Sequence, residues 1–247
     1  MTRYRFIAVC LACLLAIPAL TRPCSAAVRY SPGEVIHYNI KQLGVKAGEA
    51  SLTFVGETQL DGTKVVLIRF ASRGPAFFDN EDIYLDPQTF RPVRVQRDLK
   101  IFGGHERIEE DYRTEGQVRI RKDADGKVTE TVLSTKGPVD NIYGFIYRYR
   151  AEGDFSVQKS FAIRLPTVEL TMKVIDDGSF KAVGQVFRAA IIRSVPAKYT
   201  IWMDKGEKRL PLRIAGAVGL GNTVMTMTGY GNEGVRSDVR SNTAEGQ

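Results

Sequence analysis

Few residues in this chain are suited to chemistry, and they fall into a handful of places. His37 and His105 are the two histidines, so a histidine-dependent acid or base must be one of them. His37 alternates with Ile36 and Tyr38, the pattern of a half-exposed strand residue. His105 opens the run His-Glu-Arg-Ile-Glu-Glu-Asp111, which at first has the look of a metal-binding segment. Laid out as a strand, His105, Arg107, Glu109 and Asp111 share one face, and Glu106, Ile108, Glu110 and Tyr112 share the other. One histidine beside an arginine makes a poor zinc site. The run therefore reads as a solvated strand face whose charges pair with Arg94 or Arg97.

Asp79-Asn80-Glu81-Asp82, with Asp86 close behind, is the densest acidic patch. Paired carboxylates can perform acid and base work or hold calcium through oxygen ligands. The patch lacks the spacing of a calcium-binding loop, and Asp123-Ala-Asp-Gly126 starts like one but has no Glu at its twelfth position. Turns draw Asp and Asn for backbone reasons, so solvated turn residues are expected here. An enzyme acting on cell-envelope carbohydrate or lipid would need a convergent polar site, and Asp79, Asp82 and His105 are its best candidates. No Gly-x-Ser-x-Gly elbow or Walker-type phosphate loop is present. Gly216-Ala-Val-Gly219-Leu-Gly221 has the wrong order for a dinucleotide fingerprint and reads as a sheet bend. No catalytic residue, metal ligand or cofactor is assigned on these grounds.

Thiol chemistry is excluded by position. Cys10, Cys13 and Cys24 all lie in residues 1–27, MTRYRFIAVCLACLLAIPALTRPCSAA, which read as a secretory signal peptide. Arg3 and Arg5 supply its positive start, Phe6 to Leu20 its apolar run, and Cys24 to Ala27 its small-residue cleavage region. The apolar run is interrupted by Pro18 and is shorter than the roughly 20 residues that span a bilayer. Cleavage, a periplasmic destination and no transmembrane anchor are the expectation. Thr21-Arg22-Pro23 before Cys24 argues against lipidation.

The chain carries 35 basic and 28 acidic residues, a formal +7, and without Arg3, Arg5 and Arg22 the balance falls to +4. So mild a bias permits attraction to anionic surfaces but gives no nucleic-acid footprint. A single β-rich domain is expected over residues 28–230, followed by a polar, flexible tail over 231–247.

The elements that must position any site have a period of two. Residues 34–41, 50–55, 64–70, 93–97 and 118–121 are short β-branched or aromatic runs. So are 159–165, 168–175, 186–193, 199–203, 212–218 and 223–228. Asp61-Gly62 and Asp125-Gly126 sit between such runs as hairpin turns requiring positive φ. Antiparallel pairing follows from connections this short. One segment breaks the period: Val139, Ile142, Tyr143, Ile146 and Tyr149 recur at helical spacing, with Asp140 as a candidate cap and Gly153 as a stop. The expected fold is mainly β, an antiparallel and strongly curved or barrel-like sheet with one central helix over about residues 140–151. Gly144 would let that helix approach a neighbouring strand closely.

Gly33-Glu34-Val-Ile-His-Tyr-Asn-Ile-Lys-Gln-Leu-Gly-Val-Lys-Ala-Gly-Glu-Ala-Ser-Leu52 resembles the opening of the bacterial domain of unknown function 3108 family. Val139 to Ile142 with Tyr147 and Arg148 resembles its central helix, and Trp202 to Pro211 its late strand pair. The similarity runs from about Ser31 to Tyr230. It implies an exported envelope protein with an antiparallel β fold and no assigned activity, and it carries over no functional residues.

A curved sheet around one apolar helix can leave a cavity, and such cavities commonly take amphiphiles. The expectation is a noncatalytic binding protein for an apolar or amphipathic envelope component, a lipid or similar molecule, with Tyr143, Ile146 and Trp202 as cavity candidates. A structural module that binds another envelope protein is the alternative, and would present an exposed edge strand or apolar patch.

Overall fold

The computed structural model describes residues 30–113, 116–216 and 223–232. The expected signal peptide, and the expected tail beyond Asn232, lie outside the described residues. The first meander comprises β1 (Glu34–Gln42), β2 (Val45–Leu60), β3 (Thr63–Gly74), β4 (Phe77–Leu85), β5 (Pro92–Ile101), β6 (Gly104–Tyr112), β7 (Gln117–Ala124) and β8 (Lys127–Ser134). Helix α1 (Ile142–Glu152) follows. The second meander comprises β9 (Ser160–Leu165), β10 (Val168–Ala182), β11 (Gln185–Val195), β12 (Thr200–Asp204), β13 (Pro211–Ala215) and β14 (Thr223–Asn232).

All pairings are antiparallel, in the order β8-β7-β6-β5-β4-β3-β2-β1-β14-β13-β12-β11-β10-β9. The two meanders meet where β14 lies beside β1, and the sheet does not close: β8 and β9 are its edges. The chain between those edges supplies α1, and the Asp140 amide donates to the Arg164 carbonyl of β9 at 2.5 Å.

Alternation sends one side chain in two toward the helix. Ile36, Tyr38 and Ile40 of β1, Leu52 of β2, Ile68 and Phe70 of β3, and Ile83 and Leu85 of β4 are all 1% exposed or less. Met172 and Val174 of β10, Ile192 of β11, Ile201 of β12 and Ile214 of β13 complete the wall. Each such side chain contributes about 1.5–3 kcal/mol when fully buried. The predicted apolar stripe of α1 is buried, but so are Phe145, Tyr147 and Arg150 on its other faces, because the sheet wraps the helix.

The cap of α1 is Asn141, whose side chain accepts from the Tyr143 and Gly144 amides at 2.8 and 3.3 Å. Asp140, the expected cap, pairs instead with Arg148 at 2.7 Å. Gly153 ends the helix, its amide donating to the Tyr149 carbonyl. A Cβ on Gly144 would lie 2.9 Å from Leu85 Cδ2 and 3.0 Å from the Phe90 carbonyl oxygen, so the close approach is real. Arg150, with no exposed surface, anchors the helix to β1. Its guanidinium donates to both Glu34 oxygens at 2.6 and 3.0 Å and to the Lys208 carbonyl at 3.0 Å. The rings of Tyr30 and Tyr147 lie 5.1 and 5.0 Å from its central carbon.

Candidate functional site

The expected turn at Asp79 to Asp82 is the middle of strand β4, and this changes where its carboxylates point. Continuing inward from Leu85 and Ile83, alternation puts Glu81 and Asp79 on the inner face and Asp82 and Asn80 on the outer. Inward charge is tolerated because Arg97 of β5, paired in register with Glu81, also points in. Its Nε and a terminal nitrogen donate to the two Asp79 oxygens at 2.7 and 2.5 Å, and its Nε lies 3.4 Å from Glu81. On β6 the same alternation brings Glu110 and Tyr112 inward, and the Tyr112 hydroxyl donates to Glu110.

Three carboxylates thus share one guanidinium in a largely dry place. Asp79 satisfies Arg97 in a bidentate pair, which leaves Glu81 and Glu110 as surplus negative charge. Burial, opposed by Arg97 and reinforced by Asp79, pushes the Glu81 carboxyl up to about 7. Burial raises Glu110 too, against its bond from Tyr112. The hydroxyls of Tyr143 and Tyr199 are raised by burial and then by Glu81.

A cavity of about 340 Å³ opens onto this cluster beneath the start of α1. Its lining combines the charged Glu81, Arg97, Glu110 and Asp140 and other polar groups with the apolar Val95, Ile108, Ile120, Ile142 and Leu165. Of the sequence candidates, Tyr143 lines it and stacks on Phe70 at 4.6 Å between centroids. Ile146 is fully buried in the core and does not line it. Trp202 is on the outer face, because Ile201 and Met203 take the inward positions; it lies under Arg213 at 4.7 Å and beside Phe180. That placement corrects the expectation that Trp202 faces a cavity.

Asp79, Asp82 and His105 do not form a site. Asp79 points inward, whereas Asp82 pairs with Arg69 outside at 2.6 and 2.9 Å. His105 is also outside, its Nε2 2.5 Å from Asp98. The expected pairing of the outer β6 face is present as Arg94 with Asp111 at 2.7 Å, while Arg97 serves the interior. Among the described residues no group of three His, Cys, Asp or Glu side chains is arranged to hold a metal ion. No described helix is long and apolar enough to cross a membrane. Glu110, Tyr112 and Tyr199 were not singled out by sequence, although Ile108-x-Glu110-x-Tyr112 carries the alternation that finds the first two.

The structure is similar to the crystal structure of a beta-barrel-like protein of domain of unknown function DUF1849 from Brucella abortus. The two share 10% sequence identity with a TM-score of 0.47, over 80% of this chain and 96% of that one. No curated protein matches the chain. The model of a family described as protein of unknown function, DUF3108, matches residues 35–228, across both meanders and the helix between them. The chain belongs to the DUF3108 family.

Proposed function

We propose that this is a noncatalytic periplasmic protein that holds an amphipathic cell-envelope compound in the cavity beneath α1. The observation that carries the reading is that one cavity is lined both by the charged Glu81, Arg97 and Glu110 and by the apolar Val95, Ile108, Ile120, Ile142 and Leu165. Its volume of about 340 Å³ falls in the range of small-molecule sites.

Surplus carboxylates select the polar end of the ligand. With Asp79 occupying Arg97, Glu81 and Glu110 offer acceptors, so the matching headgroup brings donors: an ammonium or a set of hydroxyls. The test is a titration with a fluorescent long-chain alkylammonium, comparing the protein with Ile120→Trp, which enlarges a side chain lining the cavity. Saturable binding that Ile120→Trp removes is the expected result. Equal binding by both proteins, or none by either, would contradict the reading.

A second reading, acid and base chemistry on a bound envelope compound, is favoured by one observation: the Glu81 carboxyl is raised to about 7 beside another carboxylate. Under it, the extracted ligand would be chemically converted on incubation and Glu81→Gln would stop the conversion. Under the binding reading, the ligand is recovered unchanged.

A further inference from the structure

The end of the sheet that carries the β1–β2, β3–β4 and β5–β6 turns is apolar where turn chemistry calls for polar residues. Leu43 and Phe102 occupy the first position of two-residue turns with φ of 49° in both, followed by Gly44 and Gly103. That left-handed conformation favours Asn, Asp or Gly and penalises bulky side chains. Asp61 and Asp125 fill the same position in two other turns, and Val183 in a third. Leu43 and Phe102 are nevertheless 84% and 81% exposed, among the most exposed of the large apolar side chains, and Val45 beside Leu43 is 71% exposed.

These turns are neighbours. In an up-and-down meander, alternate turns fall at the same end, and the sheet order places the three side by side. The Phe102 amide donates to the Ala76 carbonyl at 3.0 Å, which joins the β5–β6 turn to the β3–β4 turn. A shallow hollow between them is lined by Pro75, Ala76, Phe77, Phe78 and Phe102. The β11–β12 turn falls at the same end and exposes Val195. Within two residues of Leu43-Gly44, Pro75-Ala76 and Phe102-Gly103 the sequence holds Lys41, Lys46, Arg73 and Lys100, and no acid. All four are exposed, and Lys46 pairs with Glu49 at 2.8 Å. The patch is bounded by the polar Asp125-Gly126 turn on the β8 side. At the opposite end, Asp61-Gly62, Asp86 to Arg91 and Lys205 to Arg209 are mixed in charge, and the β10–β11 turn there exposes Val183 and Val186.

We infer that this end docks on an anionic lipid bilayer, Leu43, Val45 and Phe102 entering the headgroup region while Lys41, Lys46, Arg73 and Lys100 meet the lipid phosphates. Apolar tips ringed by basic residues suit a charged interface with an apolar interior. The matching charge distinguishes a bilayer from an apolar protein partner. The inference stands apart from the cavity, since none of these residues lines it.

The test is co-sedimentation of the full chain with vesicles of phosphatidylcholine alone and of phosphatidylcholine with phosphatidylglycerol. Leu43→Asn with Phe102→Asn is the decisive variant, because Asn suits the left-handed turn position and so keeps the fold. Binding to the anionic vesicles, weakened by salt and by Lys41→Gln with Lys100→Gln, is expected, with the Asn pair losing at least tenfold in partitioning. Val183→Asn, at the other end, leaves partitioning unchanged. Equal partitioning of the Asn pair and the parent overturns the inference, as does no binding to either vesicle. Neither result bears on whether the cavity holds an amphiphile.

Discussion

Replacing Glu81 by Gln removes the surplus charge beneath α1 and keeps the side chain's shape, so its effect on stability isolates the cost of that charge. In the folded protein the Glu81 carboxyl is raised from 4.5 to about 7 by burial, and its side chain is 12% exposed, so solvent does little to relieve it. A raised folded-state carboxyl means that the native protein holds a proton the unfolded chain has released. Stability therefore falls as pH rises from the unfolded value near 4.5 through the folded value near 7, and the loss is complete above it. The interval corresponds to about 3 kcal/mol. Urea denaturation of the parent and Glu81→Gln across this range is the assay. The two are expected to be alike near pH 4, where both side chains are neutral, and the variant to be more stable by about 3 kcal/mol near pH 8. Arg97 keeps its bidentate partner Asp79 in both proteins, so no unpaired guanidinium confuses the comparison. A stability difference that does not change with pH, or a variant that is less stable near pH 8, would refute the reasoning.

Three further outcomes follow from the packing. Glu34→Gln leaves the fully buried Arg150 without its ion pair and is expected to cost about 3 kcal/mol or more by urea denaturation. The double change Glu34→Gln with Arg150→Met restores part of that loss. Gly144→Val drives a side chain against Leu85 and the Phe90 carbonyl, and is expected to lower stability by about 2 kcal/mol or more despite the better helix propensity. Trp202→Ala removes the ring beneath Arg213 and costs about 1 kcal/mol in denaturant, yet leaves amphiphile binding unchanged, because the ring is outside the sheet.

The fold was legible in the sequence wherever strands alternated apolar with polar residues. Each predicted run overlaps an observed strand, 159–165 and 199–203 starting one residue early and 212–218 running past the end of β13 at Ala215, and Asp61-Gly62 and Asp125-Gly126 turn with positive φ as expected. Strands β4, β6 and β8 were less plain because charge masks their period. In β4 acids occupy inward positions, β6 is charged on both faces, and in β8 most side chains of both faces are solvent-exposed. The same masking hid the site. Asp79 and Glu81 belong to a turn-like acidic patch unless Phe77-x-Asp79-x-Glu81-x-Ile83-x-Leu85 is read as one inward row. Even then nothing local shows that Arg97 of β5 meets them, since that depends on strand register. Trp202 was misplaced for a related reason: its neighbours Ile201 and Met203 compete for the interior, and two inward residues outweigh one.

Native mass spectrometry of the protein purified from its own cells, alongside Ile120→Trp, tests the amphiphile-binding claim most directly. The account predicts a bound amphiphile with an amine or hydroxyl headgroup on the parent and its loss when Trp replaces Ile120 in the cavity lining. A parent protein that flies bare, or a ligand retained equally by Ile120→Trp, would contradict it.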